Sequence, residues 1–155
     1  MRKIATIALL AVLAGCASKP YGNFLENAPL STNQKLAADS VKQLVAVYPP
    51  ASTRLNLVHE APDAYGRALV STLRARGYAL QEVTDEAAKK PAESKPAPAT
   101  AYPASPGLAL SYVIDNPTDT NLYRVTLTVG SQSLTRAYVA QNNTVHPAGE
   151  WTRKE

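Results

Sequence analysis

The sequence predicts an α+β fold: two helices packed on a small mixed β-sheet, with a C-terminal antiparallel meander and an inserted, disordered Pro/Ala/Lys linker. Three observations carry this. Between residues 31 and 83, apolar side chains twice recur at the spacing of a helix face, each time beside a short alternating run. Between 108 and 155 the spacing switches to alternation, as in half-buried strands. Between 84 and 107 the chain is mostly Ala, Pro, Lys and Glu, and Tyr102 stands nearly alone among larger apolar side chains. Such a segment cannot bury enough surface to offset its ordering entropy.

The chain opens on Arg2 and Lys3, followed by an uncharged, mostly apolar stretch from Ile4 to Ala14. A helix of about eleven residues spans roughly 16 Å, against ~30 Å for a bilayer core. Residues 1–15 are therefore too short to span a membrane and suit a signal peptide. Residues 16–30 are polar and broken by Pro20, Gly22, Asn23 and Pro29. They read as a tether that reaches about 40 Å when extended. Tyr21 and Phe24 are out of place in a plain spacer. Either they rest on headgroups or on the domain, or they are candidate partner contacts.

Residues 31–83 form an αβαβ half. Ser31 and Gln34 have capping-box spacing and open the first helix. Ala37, Val41, Leu44 and Tyr48 share one face, with Leu36 and Val45 beside it, while Lys35, Asp39 and Lys42 are expected to point outward. Pro49-Pro50 ends the helix, because neither residue can donate to it. Arg54 to His59 alternates as a strand. Pro62 or Asp63 opens a second helix, whose stripe is Tyr65, Ala68, Leu69, Thr72 and Leu73, and Gly77 closes it in a left-handed conformation. Tyr78 to Val83 is the next strand, and a strand–helix–strand unit of this kind makes a right-handed crossover with parallel strands.

Residues 84–107 are the linker, and 108–155 the meander half. A competing arrangement is two small subdomains joined by that linker. Leu108, Leu110, Tyr112 and Ile114 alternate, Asp115 to Asp119 turns, and Tyr123, Val125, Leu127 and Val129 alternate again. Gly130-Ser131 fits a two-residue hairpin loop. Its register pairs Val129 with Gln132, Leu127 with Leu134, Val125 with Arg136 and Tyr123 with Tyr138. Arg136 is the awkward member and is taken to mark the edge of the core face. Val145 to Trp151 adds a last strand, which Pro147 confines to an edge. Trp151, the sole tryptophan, either closes that edge or is a candidate partner contact.

Composition bounds the function. A length of 155 residues suits one domain with a modest core. The formal charge of +4 falls further once Arg2 and Lys3 leave, too weak a field for direct nucleic-acid binding. Two histidines, His59 and His146, are a thin basis for catalysis or a metal site. His59, Asp63 and Ser71 can be drawn as a triad, but no GxSxG elbow surrounds any serine. His59, Glu60 and Asp63 lie close in sequence and lack a further histidine at ligand spacing. No catalytic residue, metal or cofactor is expected, and the chain is not read as an enzyme; a surface or capping role is expected for His59.

Leu13-Ala14-Gly15-Cys16 contains the sole cysteine and resembles the lipobox of bacterial lipoprotein signal peptides. The resemblance implies cleavage between Gly15 and Cys16, S-diacylglycerol on Cys16 and N-acylation of the new amine, so that membrane lipid is a partner. With its only thiol spent on lipid, the mature chain has no disulfide or cysteine nucleophile. Two or more acyl chains give stable anchoring where one does not. Ala17 after the anchor resembles an outer-membrane address, with the domain facing the periplasm. Together with Tyr21-Gly22-Asn23-Phe24, Gln34-Lys35-Leu36-Ala37, Tyr48-Pro49-Pro50-Ala51 and Leu73-Arg74-Ala75-Arg76-Gly77-Tyr78, the lipobox resembles the TrbH proteins of plasmid conjugation. This likeness runs over Met1 to Glu82. It implies an envelope lipoprotein of the mating-pair formation apparatus, a type IV secretion system, whose partners are channel subunits. It brings no catalytic residue, and Cys16 is the one functional position carried over.

Overall fold

The computed structural model describes residues 21–83, 106–117 and 120–155. The expected signal peptide with Gly15 and Cys16, and the linker except Pro106 and Gly107, lie outside the described residues. In chain order the elements are β1 (Gly22–Asn23), α1 (Leu30–Val47), a 3₁₀ turn (Pro50–Ser52), β2 (Arg54–Leu57), α2 (Ala64–Ala75) and β3 (Ala79–Gln81). The second half holds β4 (Leu108–Asp115), β5 (Leu122–Val129), β6 (Gln132–Gln141), β7 (Thr144–Pro147) and β8 (Thr152–Lys154). This is the α+β class expected: two helices and one mixed sheet among the described residues.

The sheet order is β3-β2-β4-β5-β6-β7. β2 and β3 are parallel, as the crossover through α2 requires. β2 also pairs in parallel with β4, Leu55 opposite Leu108 and Leu57 opposite Leu110. The two halves of the chain therefore share one sheet, which settles the competing arrangement against two separate subdomains. β4, β5 and β6 form the antiparallel meander, and the β5–β6 register is the expected one, from Val129–Gln132 through Tyr123–Tyr138. Gly130 has φ +60 at the first loop position, which glycine adopts without steric cost.

The core lies between the helices and one sheet face. Leu110, Tyr112 and Ile114 from β4, Val125, Leu127 and Val129 from β5, and Leu134 and Tyr138 from β6 bury against Leu36, Ala37, Val41 and Leu44 of α1 and Tyr65, Leu69 and Leu73 of α2. α2 follows its sequence signals closely. Asp63 is its N-cap and accepts from Gly66 N at 2.9 Å, and Gly77 has φ +86 just beyond its end. Its buried stripe adds Gly66 and Val70 to Tyr65, Leu69 and Leu73, Ala68 packs half-buried beside it, and Thr72 bonds back to Ala68 O.

Four expectations are corrected. The capping box does not form: α1 starts at Leu30 with Pro29 at the cap and no side-chain cap bond, so Ser31 already lies inside the first turn. Asn33 fastens that end instead, its amide donating to the carbonyls of Ala28 and Pro29. Second, the tether ends sooner than residue 30. Gly22 and Asn23 pair in parallel with Val113 and Ile114, and Phe24 N donates to Ile114 O at 2.8 Å. Third, the last strand is two strands, since both β7 and β8 pair with β6. Fourth, Asp39 turns inward to the sheet, where it meets Arg136.

Candidate functional site

Both outer edges of the meander are completed in the same way, by two short strands placed end to end with a gap between them. On β4, β2 covers Leu108 to Leu110 and β1 covers Val113 and Ile114. On β6, β8 covers Ser133 to Thr135 and β7 covers Tyr138 to Gln141. A sheet edge with a gap leaves backbone groups that need partners. At each gap lies a cluster that links a segment near one end of the described domain to an aspartate, Asp63 at the cap of α2 or Asp39 on α1.

At the β4 gap the filler is His59. Its Nε2 accepts from Tyr112 N at 3.3 Å, and its Nδ1 lies 2.8 Å from Glu60 O. The pairing places the ring proton on Nδ1, because Nε2 must accept. The imidazole is also the middle of an aromatic stack. Tyr21 lies parallel to it with centroids 5.4 Å apart, and Tyr112 meets it edge-on at 4.6 Å. Tyr112 crosses the core and donates its hydroxyl to Asp63 Oδ2, on the carboxylate that caps α2. Gly66 makes this approach feasible, since a Cβ there would collide with the Tyr112 hydroxyl and with Ala61.

At the β6 gap the backbone closes itself, with Ala148 N donating to Ala137 O at 2.9 Å. Arg136 donates Nε to Gly149 O at 2.8 Å and Nη1 to Asp39 Oδ2 at 2.9 Å. The same oxygen accepts from the Tyr138 hydroxyl at 2.6 Å and from Trp151 Nε1 at 3.2 Å. The Arg136 side chain is only 14% exposed and the Asp39 side chain 24%, so this is a largely desolvated ion pair. Trp151 thus packs on the core and closes the edge of the sheet. Beside it opens a cleft of about 260 Å³ lined by Asp39, Lys42, Gln43, Arg136, Glu150 and Trp151.

Between the two clusters, further tyrosine hydroxyls tie the layers together. Tyr65 of α2 donates to Ser40 Oγ of α1, which passes the bond to Leu36 O. Tyr48 donates to Gln132 Oε1 at 2.6 Å and Tyr78 to Tyr48 O at 2.6 Å. Burial pushes Tyr65, Tyr112 and Tyr138 well above the ordinary phenol value of 10. For Tyr112 and Tyr138, donation to Asp63 and Asp39 and the nearby negative charge raise it further. These phenols are neutral donors throughout the physiological range.

The other readings of the sequence find their places around these clusters. Both His59 nitrogens are engaged by backbone groups, and Asp63 is taken by Gly66 and Tyr112. The triad drawn with Ser71 is therefore not assembled. Ser71 lies in a separate cleft of about 380 Å³ with Ala61, Arg67, Val70, Arg74 and Glu82. His146 is exposed on β7. Among the described residues no group of three His, Cys, Asp or Glu side chains could hold a metal, and no helix is long and apolar enough to cross a membrane. Of the candidate partner contacts, Tyr21 lies on His59, Trp151 on Asp39, and Phe24 stands half exposed. The sequence reading missed Asp39 and the Tyr112–Asp63 bond. One signal was present: Arg136 falls opposite Val125, on the core side of the hairpin, where a guanidinium requires a counter-charge.

The family described as conjugal transfer protein TrbH matches residues 18–155. The chain belongs to the TrbH family. The TrbH match runs through the meander to Glu155, further than the likeness over Met1 to Glu82 seen in the motifs. Membership places the chain in conjugal transfer. No curated protein and no solved structure matches it.

Proposed function

We propose that this TrbH-family chain is a non-catalytic, outer-membrane-anchored lipoprotein that builds or stabilises the envelope channel for conjugative DNA transfer by type IV secretion. TrbH membership over residues 18–155 carries the reading. The lipobox ending at Cys16 supports an anchor on the outer membrane facing the periplasm. The two clusters support a scaffold, because they fasten both ends of the domain to its helices with groups already engaged internally. The partners are membrane lipid, through Cys16, and channel subunits; DNA is not held directly.

The test is Cys16→Ser in a transfer-competent donor. The variant protein is expected to be unprocessed or soluble, and the frequency of plasmid transfer to fall. Wild-type transfer frequency from a protein shown to lack lipid would remove the anchor from the mechanism. Affinity capture from solubilised envelopes identifies the client. Transfer-channel subunits are expected, and a set of unrelated outer-membrane proteins would point to a general assembly lipoprotein instead.

A further inference from the structure

The point at which the N-terminal chain leaves the domain is held by independent contacts. Gly22 and Asn23 are paired to β4, and Phe24 N is bonded to Ile114 O. Asn23 Nδ2 donates to Asn33 Oδ1 at 2.8 Å, which brings the first turn of α1 against β1. Asn23 Oδ1 accepts from Leu25 N, Leu25 packs on the core, and Tyr21 stacks on His59.

Five residue steps separate Tyr21 from Cys16, which is at most about 18 Å of extended chain. A domain of about 100 residues is roughly 30 Å across. The leash is shorter than the domain is wide, so a protein anchored at Cys16 cannot roll its far side onto the bilayer. The side that carries Tyr21 must face the lipid. That side also carries most of the exposed apolar side chains, Leu108 at the opposite end of β4 being the exception. Among the described residues the exposed large hydrophobic side chains are Tyr21, Phe24, Leu30, Val58 and Leu108. Phe24 is 49% exposed and Leu30, on the turn of α1 that Asn33 ties to β1, is 60% exposed. Val58 adjoins the histidine on which Tyr21 stacks.

We propose that Phe24 and Leu30 rest on the bilayer surface in the anchored protein, so that the β1 corner of the sheet is its membrane-facing side. The inference rests on the lipid-anchor reading of Cys16. A folded partner cannot take this position, because a gap of at most about 18 Å, part of it spent inside the headgroup layer, is narrower than a domain. Lipid is the occupant that fits. Tyr21 suits that boundary, with a wet hydroxyl on an apolar ring, and Phe24 and Leu30 supply apolar area to bury.

The test uses the lipidated chain purified from envelopes. Lipid consumes the only native thiol, so F24C, L30C or S71C each supplies a single labelling site. Each variant is labelled with a fluorophore and reconstituted into liposomes containing nitroxide-bearing lipid. Quenching is expected to be severalfold stronger at positions 24 and 30 than at position 71 on the outer side of α2. Lengthening the leash by about twelve Gly/Ser residues after Ser18 should reduce the signal at 24 towards that at 71. Equal quenching at the three positions, in protein that floats with the liposomes, overturns the inference and leaves the anchor intact. Quenching at 24 that ignores the longer leash overturns the orienting role of the leash. Protein that fails to float overturns the anchor, and this inference with it.

Discussion

The two edges of the meander use one plan with opposite chemistry. At the β4 edge, the gap between β2 and β1 is filled by an imidazole and an aromatic stack, and the aspartate beneath it accepts a tyrosine and a helix N–H. At the β6 edge, the gap between β8 and β7 lies over an ion pair, and the aspartate accepts an arginine, a tyrosine and an indole on one oxygen. The difference teaches which end can give. A stack, the two residue pairs of β1 and a few neutral hydrogen bonds hold the N-terminal segment, and each can open without stranding a charge. The C-terminal segment is held by a largely desolvated Asp39–Arg136 pair, and removing either partner leaves the other charge mostly buried and short of its counter-charge. The firm end is the one remote in sequence from the expected anchor.

The largest expected effect separates the two aspartates. Asp39→Ala should destabilise the protein by about 3–5 kcal/mol, because Arg136 loses its partner in a largely buried place. Asp63→Ala should cost about 2 kcal/mol, from the lost cap and one tyrosine bond. Urea unfolding of the purified protein measures both. A larger loss at Asp63 would reverse the comparison.

Alkaline pH should strike both clusters alike. In the folded state the phenols of Tyr112 and Tyr138 are raised above the value of 10 they have when unfolded. Their stabilising contribution is therefore complete below pH 10 and is lost as pH rises from there towards the folded values. At pH 11 the loss is about 1.4 kcal/mol for each tyrosine that is still protonated in the folded state. Thermal melting as a function of pH should show a decline beginning near 10 that is shallower in Tyr112→Phe or Tyr138→Phe than in the wild type. A decline of unchanged steepness in both would dissociate it from these phenols.

The smallest effect is expected at the aromatic end. Tyr21→Ala removes the stack on His59 and should cost no more than about 1 kcal/mol. Its signature is local: amide hydrogen exchange at Phe24 should accelerate while the β5–β6 ladder stays protected. Acceleration throughout the sheet would mean that β1 is part of the global fold and that the two ends are equally firm.

The β5–β6 hairpin and α2 were legible because their signals are local and redundant. Alternation, the Gly130-Ser131 loop and the Asp63 and Gly77 punctuation each act within a few residues and agree with one another. The start of α1 was misread because Ser31 and Gln34 satisfy a spacing rule that Pro29 and Asn33 override. β1 was invisible for a different reason: two residues show no alternation, and their partners lie some ninety positions away. Asp39 looked exposed because helical periodicity reports which face a residue occupies and not what faces it.

The sequence alone determined the class, the parallel crossover and the meander register, since each follows from backbone sterics or side-chain period within a short window. Only the tertiary structure decided that the two halves share one sheet, that Gly22 and Asn23 join it, and that Asp39 and Asp63 each gather a tyrosine from a distant strand. Those outcomes depend on desolvated polar groups finding partners across the core. Which partner is within reach is a property of the packed layers, not of any segment by itself.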